Sequence, residues 1–169
     1  TVDRVTVRGF GRYGFCLRHF SSFCKLHNCT AYDNAEANYL LDELCAWLEP
    51  NDVPGCFCPN YVSNCHAYAG GVGFEVRNSV CQNIVACMAY NSGSHGFAVT
   101  NYSPSTLISG CRSFQGRGNG VLVADSPEIN ISSSIFCWHE GHGIELSNVT
   151  WGTVSANEIM DAGTADTEN

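Results

Sequence analysis

Positive charge is scarce in this chain. Lys25 is the single lysine among 169 residues, and eight Lys and Arg residues stand against sixteen Asp and Glu, for a net charge of −8. A surface that neutralises nucleic-acid phosphates needs a basic face, so the composition argues against a nucleic-acid partner. There is no apolar run of the roughly 20 residues that a membrane helix takes, so no membrane partner is expected. The chain carries no signal-peptide pattern and does not start with Met. The leucine and asparagine spacing of leucine-rich repeats is also missing, and WD-type blades need repeats of about 40 residues. Nothing in the sequence calls for a cofactor or a bound metal.

What the chain does contain is a repeat. Gly71-Val72-Gly73-Phe74-Glu75-Val76, Ser94-His95-Gly96-Phe97-Ala98-Val99, Gly118-Asn119-Gly120-Val121-Leu122-Val123 and Gly141-His142-Gly143-Ile144-Glu145-Leu146 share a glycine at 73, 96, 120 and 143, in steps of 23, 24 and 23. Such a period means a solenoid, in which each repeat buries its apolar face only by stacking on its neighbours. The apolar–any–apolar triplet after each glycine has the period of two of a half-buried strand. Asn78, Asn101, Asp125 and Asn148 follow at a bend, where Asn and Asp tolerate unusual backbone angles. A second strand is marked by Ile84, Ile108, Ile131 and Val154. Beyond it come a column of Cys87, Cys111, Ser134 and Asn157, and an aromatic column of Tyr68, Tyr90 and Phe114 that ends at Cys137.

The frame extends upstream through Gly14-Phe15-Cys16-Leu17 and Asn38-Tyr39-Leu40-Leu41, with Cys29 and Cys65 joining the cysteine column. The step from Asn38 to Gly73 is 35, which leaves room for a loop insertion over about 45–59, where Pro50, Pro54, Gly55 and Pro59 lie. Ala35 to Leu48 also reads as an apolar helical stripe, but the register favours a strand there. Three short strands per turn describe one coil of a parallel β-helix. The fold class expected is all-β: a single-stranded parallel β-helix solenoid of about six coils, one domain over 1–169, read as a module of a longer protein.

On these motifs the chain, from about Gly11 to Gly163, resembles the right-handed parallel β-helix family typified by pectate lyases and phage tailspikes. The resemblance implies a right-handed solenoid. It also makes the Asn78, Asn101, Asp125, Asn148 column similar to the asparagine ladder of that family, a structural feature of the bend. As partner it implies a polysaccharide or cell-surface glycan, and as location an extracellular, secreted or virion-surface setting. Trimers are common among tailspike relatives, so self-association is expected, through a trimer or through the rod ends. Two features of relatives are missing: the clustered aspartates with which pectate lyases hold calcium, and the acid–His motif of mannuronan epimerases.

Eleven cysteines is a high and odd number. Cys29, Cys65, Cys87, Cys111 and Cys137 read as small, reduced core residues stacked coil on coil, and the register places most aromatics inside as well. Cys45, Cys56 and Cys58 in the insertion could staple the loop in an oxidising compartment.

The register also lists the outward face beside the glycine strand. One column runs Cys16, Leu40, Glu75, Ala98, Leu122, Glu145, and the next Arg18, Asp42, Arg77, Thr100, Ala124, Ser147. Charge gathers at the N-terminal coils. Asp42 and Glu75, on adjacent coils, are the candidate catalytic pair, because sugar hydrolysis uses two carboxyl groups roughly 5–9.5 Å apart. Arg18 and Arg77 are candidates to hold a uronate carboxylate, which a guanidinium fork suits, and Glu43 and Glu145 complete the candidate substrate-binding set. The alternative is an Arg18–Asp42–Arg77 charge ladder across stacked strands, part of a non-catalytic structural or adhesive rod. His139, Glu140 and His142, with His95 two coils away, are metal-ligand types but read as exposed turn residues. Tyr13, Tyr61, Tyr102, Trp138 and Trp151 could stack on sugar rings.

Overall fold

The computed structural model describes residues 1–18, 21–42 and 59–161. Most of the 45–59 insertion, Glu43, and Cys45, Cys56 and Cys58 lie outside them. Among the described residues there are twenty strands in three parallel sheets, each strand pairing with its counterpart one coil away. The first sheet runs from Val2–Asp3 through Lys25–His27, Tyr61–Ser63, Asn83–Val85, Leu107–Ser109 and Asn130–Ser132 to Thr153–Ser155. The second runs from Thr6–Arg8 through Thr30–Tyr32, His66–Tyr68, Met88–Tyr90, Arg112–Phe114 and Ile135–Cys137 to Glu158–Met160. The third holds Tyr13–Arg18, Ala37–Asp42, Val72–Arg77, Phe97–Thr100, Val121–Ala124 and Ile144–Ser147. The chain is thus a β-solenoid of about six coils. Residues 37–42 form a strand, as the register favoured over a helix.

The core is a set of columns. Phe15, Tyr39, Phe74 and Phe97 of the third sheet lie in register and stack nearly parallel, with ring centroids 5.1, 4.5 and 5.0 Å apart. The inward positions of the second sheet are small where these rings are large: Ala31, Ala67, Ala89 and Ser113. The sizes then exchange. Val121 and Ile144 continue the third sheet while Phe136 and Ile159 continue the second, and Phe97 meets Phe136 edge to face at 6.4 Å. Large rings against small residues fill the cross-section in the coils of Tyr39, Phe74 and Phe97, and the exchange lets Phe136 fill it beyond them.

The repeated glycine is set by space. A Cβ on Gly73 would run into the Gly96 carbonyl oxygen and lie 2.8 Å from the Ala89 Cβ, and one on Gly120 would lie 2.5 Å from the Gly143 carbonyl oxygen and 2.8 Å from the Phe136 Cβ. The corner there has no room for a side chain beside the inward residue of the second sheet.

Among the described residues, all three kinds of corner use left-handed backbone. Asn28, Asn64, Ala86, Gly110, Ser133 and Ala156 all have φ between 50° and 63° at the bend from first to second sheet. Asn78, Asn101, Asp125 and Asn148 have φ of 50–54° at the bend after the third sheet, and Tyr102 adds an extra left-handed residue with φ of 55°. Their side chains bond one another or the strand face: Asn78 Nδ2 donates to Asp42 Oδ1 at 3.1 Å and Asn148 Nδ2 to Asp125 Oδ1 at 2.8 Å. The bonds that tie side chains to the backbone of the next coil run through neighbouring columns. Ser103 Oγ accepts the Ser79 amide and Ser126 Oγ the Ser103 amide. At the other corner Ser134 Oγ accepts the Cys111 amide and Asn157 Oδ1 the Ser134 amide, while the Cys29, Cys65, Cys87 and Cys111 thiols bond backbone carbonyls. The cysteine column is therefore a hydrogen-bonding ladder as well as core. These cysteines and Cys137 are buried and free.

Two expectations are corrected. Tyr68, Tyr90 and Phe114 lie on the outside of the second sheet, because the inward positions there are Ala67, Ala89 and Ser113. His139 is buried, not exposed: its Nδ1 accepts the Gly116 amide at 3.2 Å.

Candidate functional site

The outer face of the third sheet at its first three coils carries the charge cluster. Strand register sets Arg18, Asp42 and Arg77 side by side in one column and Cys16, Leu40 and Glu75 in the adjacent one. Asp42 is only 8% exposed at its side chain. Its Oδ2 accepts from Arg18 Nη2 and from Arg77 Nε, both at 3.1 Å, and its Oδ1 from Asn78. Arg77 also gives Nη1 to Glu75 Oε1 at 3.2 Å and Nη2 to the Tyr13 hydroxyl at 3.1 Å. The Tyr13 ring has three guanidinium groups about it, with Arg12, Arg18 and Arg77 at 4.9, 5.7 and 5.9 Å from its centroid. Arg12 in turn forks onto Glu36 at 2.8 and 3.3 Å. Arg18 has its Nε buried with no hydrogen-bond partner among the described residues.

The two carboxyls differ in character. Burial works to raise the Asp42 pKa, but hydrogen bonds from Asn78, Arg18 and Arg77 outweigh it and hold the group below the usual carboxylate range. Burial dominates at Glu75 and pushes its pKa up, against the pull of Arg77. A pair of carboxyls forced apart in this way divides into one that stays ionised and one that holds a proton more readily.

The structure brings Arg18, Asp42, Glu75 and Arg77 together. It does not bring Glu145 to them: in register Glu75 is followed by Ala98, Leu122 and then Glu145, three coils or roughly 14 Å away. There Glu145 accepts the Asn119 side-chain amide at 2.5 Å. Leu40 and Ala98, in the same outward column, are buried. Glu43 lies outside the described residues. Sequence reasoning placed Tyr13 among possible sugar-stacking rings and Asn78 in the bend column, and missed that both belong to this cluster. For Asn78 the signal was present, since it directly follows Arg77.

The histidine turn is architectural. His95 Nδ1 accepts the Asn119 amide at 3.0 Å, and Asn119 Oδ1 accepts the His142 amide at 2.8 Å, so the column bonds coil to coil. Burial lowers the pKa of both His95 and His139. Among the described residues no group of three or more His, Cys, Asp or Glu is placed to hold a metal. No helix among them is long and apolar enough to cross a membrane.

The family model described as right handed beta helix region matches residues 1–159. The chain belongs to the right-handed β-helix family. Solved structures agree on the fold. This β-helix superimposes on the A-module of Azotobacter vinelandii mannuronan C-5 epimerase AlgE6 with a TM-score of 0.82 at 19% identity, covering 95% of this chain and 41% of that one. The Siphovirus 9NA tailspike receptor binding domain gives 0.59 at 10% identity, over 97% of this chain and 35% of that one. A variant of the periplasmic alginate epimerase AlgG gives 0.56 at 13% identity, over 95% and 45%. This chain therefore spans less than half the length of each of these three structures. No curated protein matches it.

Proposed function

We propose that this β-helix is a polysaccharide-binding module that works outside the cell, and that the outer face of Tyr13–Arg18, Ala37–Asp42 and Val72–Arg77 receives the glycan. The observation that carries the reading is the charge cluster, in which Asp42 accepts from Arg18 and Arg77 and Glu75 accepts from Arg77 on one outer face, with the pKa of Asp42 lowered and that of Glu75 raised. Arg18, joined to Asp42 through Nη2, is the guanidinium offered to an acidic sugar. Asp42 accepts three hydrogen bonds, so its part is to position Arg18 and Arg77. Glu75 is the group that would give a proton to a glycosidic oxygen if the module also cleaves its ligand, with water closing the bond that opens. The structural neighbours include a tailspike receptor binding domain and two alginate epimerases, which supports a carbohydrate partner.

A second reading, a non-catalytic structural rod, is favoured by the mutual saturation of Asp42 and Arg77. The two are separated by screening the chain against acidic and neutral glycans, scoring both binding and chain cleavage. Arg18→Ala should weaken glycan binding at least tenfold, and Glu75→Gln should remove cleavage while leaving binding. If neither variant changes any glycan interaction, the rod reading replaces this one.

A further inference from the structure

The outside of the second sheet carries a feature that the third-sheet site does not use. Strand register aligns Tyr32, Tyr68, Tyr90 and Phe114 in one outward column, one ring per coil. Tyr68 and Tyr90 have ring centroids 6.3 Å apart. Trp138, 51% exposed, extends the line with its ring 5.9 Å from Phe114 and its Nε1 donating to Asp161 Oδ2 at 3.1 Å. Tyr90 is 40% exposed. Beside this stripe, the adjacent outward column sets His66, Met88 and Arg112 in register, and these three line a pocket of about 260 Å³ with Ala86, Cys87 and Gly110. From Thr6–Arg8 to Arg112–Phe114 the outward positions of this sheet hold Arg8, His66 and Arg112 and no carboxylate, although the chain as a whole carries −8.

We infer that this face is a second carbohydrate-binding surface, which takes an acidic polysaccharide laid along the rod. It shares a ligand class with the proposed function but uses none of the same residues. A pyranose ring presents a face of weakly positive C–H groups, which suits the negative face of an aromatic ring. The strands that carry the rings are roughly 4.8 Å apart, and the ring centroids lie 6.3 Å apart at Tyr68 and Tyr90 and 5.9 Å apart at Phe114 and Trp138. An extended chain of pyranose rings laid along the rod can therefore meet one aromatic ring after another. Up to Arg112–Phe114 the face holds arginines and no carboxylate, which commits that part to an acidic chain: Arg112, exposed at the pocket, can fork onto a uronate carboxylate, and His66 can donate to a sugar hydroxyl. Aromatic pairs also steady neighbouring strands, but that role requires neither the pocket nor the absence of carboxylates.

The test uses the full chain with alginate and polygalacturonate oligomers as acidic probes and dextran as the neutral one. Affinity is read by calorimetry, and occupancy of this face by the fluorescence of Trp138, assigned by its loss in Trp138→Phe. The acidic oligomers should bind and change the Trp138 signal, and dextran should not. Tyr68→Ala with Tyr90→Ala should abolish the Trp138 response, and Arg112→Ala should weaken it at least fivefold and flatten its salt dependence; the melting temperature of each variant checks the fold. The Trp138 response should survive Arg18→Ala. If the tyrosine variants respond like the parent, or if dextran binds equally well, the inference falls. Should all binding vanish with Arg18→Ala alone, the third-sheet reading stands and this one is lost. Should the tyrosine variants lose the response while Arg18→Ala and Glu75→Gln change nothing, this one stands alone.

Discussion

Asp42 and Glu75 make opposite demands on pH. The Asp42 pKa is below its ordinary 3.8, so between the folded and unfolded values the unfolded chain binds the extra proton. Its contribution to stability is full above pH 3.8 and fades as the pH falls through the folded value. The Glu75 pKa is above its ordinary 4.5, so here the folded chain binds the extra proton. Its contribution is full below pH 4.5 and is lost as the pH rises through the folded value. Asp42→Asn should therefore cost about 1–3 kcal/mol at pH 7, because charged hydrogen bonds to Arg18 and Arg77 are broken, and should flatten the stability curve below pH 3.8. Glu75→Gln should leave stability at pH 7 unchanged or raised, and should flatten the curve above pH 4.5. Urea denaturation of both variants from pH 2.5 to 8 measures this, and an equal loss for the two at pH 7 would contradict the assignment.

At the scale of strands and corners, the glycine column and the size exchange across the core solve one packing problem. The corner between second and third sheets must pass close to the inward residue of the next coil, which is Ala89 at Gly73 and Phe136 at Gly120. Gly120→Ala places a methyl 2.5 Å from the Gly143 carbonyl oxygen and 2.8 Å from the Phe136 Cβ, so the backbone of the next coil and Phe136 both have to shift, at a cost of about 1–3 kcal/mol. Gly110 is a useful contrast. Its φ is 63°, but a Cβ there meets nothing nearer than 3.9 Å, and Ala86 occupies the same left-handed position one coil before. Gly110→Ala should cost about 1 kcal/mol from backbone strain alone. Denaturant midpoints of the two variants give the comparison, and a smaller loss at Gly120 than at Gly110 would overturn the steric account. The glycine period and the apolar triplets were readable because the same constraint recurs in every coil. The left-handed corners were readable at Asn78 or Asn148, where the residue type advertises them, but not at Ala86, Trp138 or Trp151, where stacking imposes φ of 54–59° on ordinary residues. Alternation names two faces of a strand but not which is inside. With Ala67 and Ala89 competing against Tyr68 and Tyr90, size suggested the wrong face. Register placed Arg18, Asp42 and Arg77 together, while the closure by Tyr13 and Asn78 depends on how side chains fold back over the sheet, which spacing does not encode.

Across the whole rod, charge is unevenly paired. Up to Arg117 the chain has eight basic and eight acidic residues, and after it eight acidic and no Lys or Arg, so the net −8 falls in the sequence after Arg117. The ion pairs among the described residues, Arg4–Asp3, Arg12–Glu36, Arg18–Asp42, Arg77–Asp42 and Arg77–Glu75, all fall within the first 77 residues. The C-terminal carboxylates have neutral partners instead: Asn148 on Asp125, Ser105 on Glu128, Asn119 on Glu145 and Trp138 on Asp161. Added salt screens both attraction and repulsion, with a Debye length of roughly 10 Å at 0.1 M and 3 Å at 1 M. The two ends should therefore respond with opposite sign. Raising NaCl from 0.02 to about 0.5 M should slow amide exchange in Thr153–Ser155 and Glu158–Met160, in the part of the chain after Arg117 that has carboxylates and no Lys or Arg, and should leave it unchanged or faster in Tyr13–Arg18 and Ala37–Asp42, where opposite charges hold neighbouring strands. In a solenoid each coil contacts only its neighbours, so local stability can shift at one end without the other following. Hydrogen exchange read strand by strand at the two salt concentrations tests this, and a uniform change along the rod would show that the charge asymmetry has no local energetic effect.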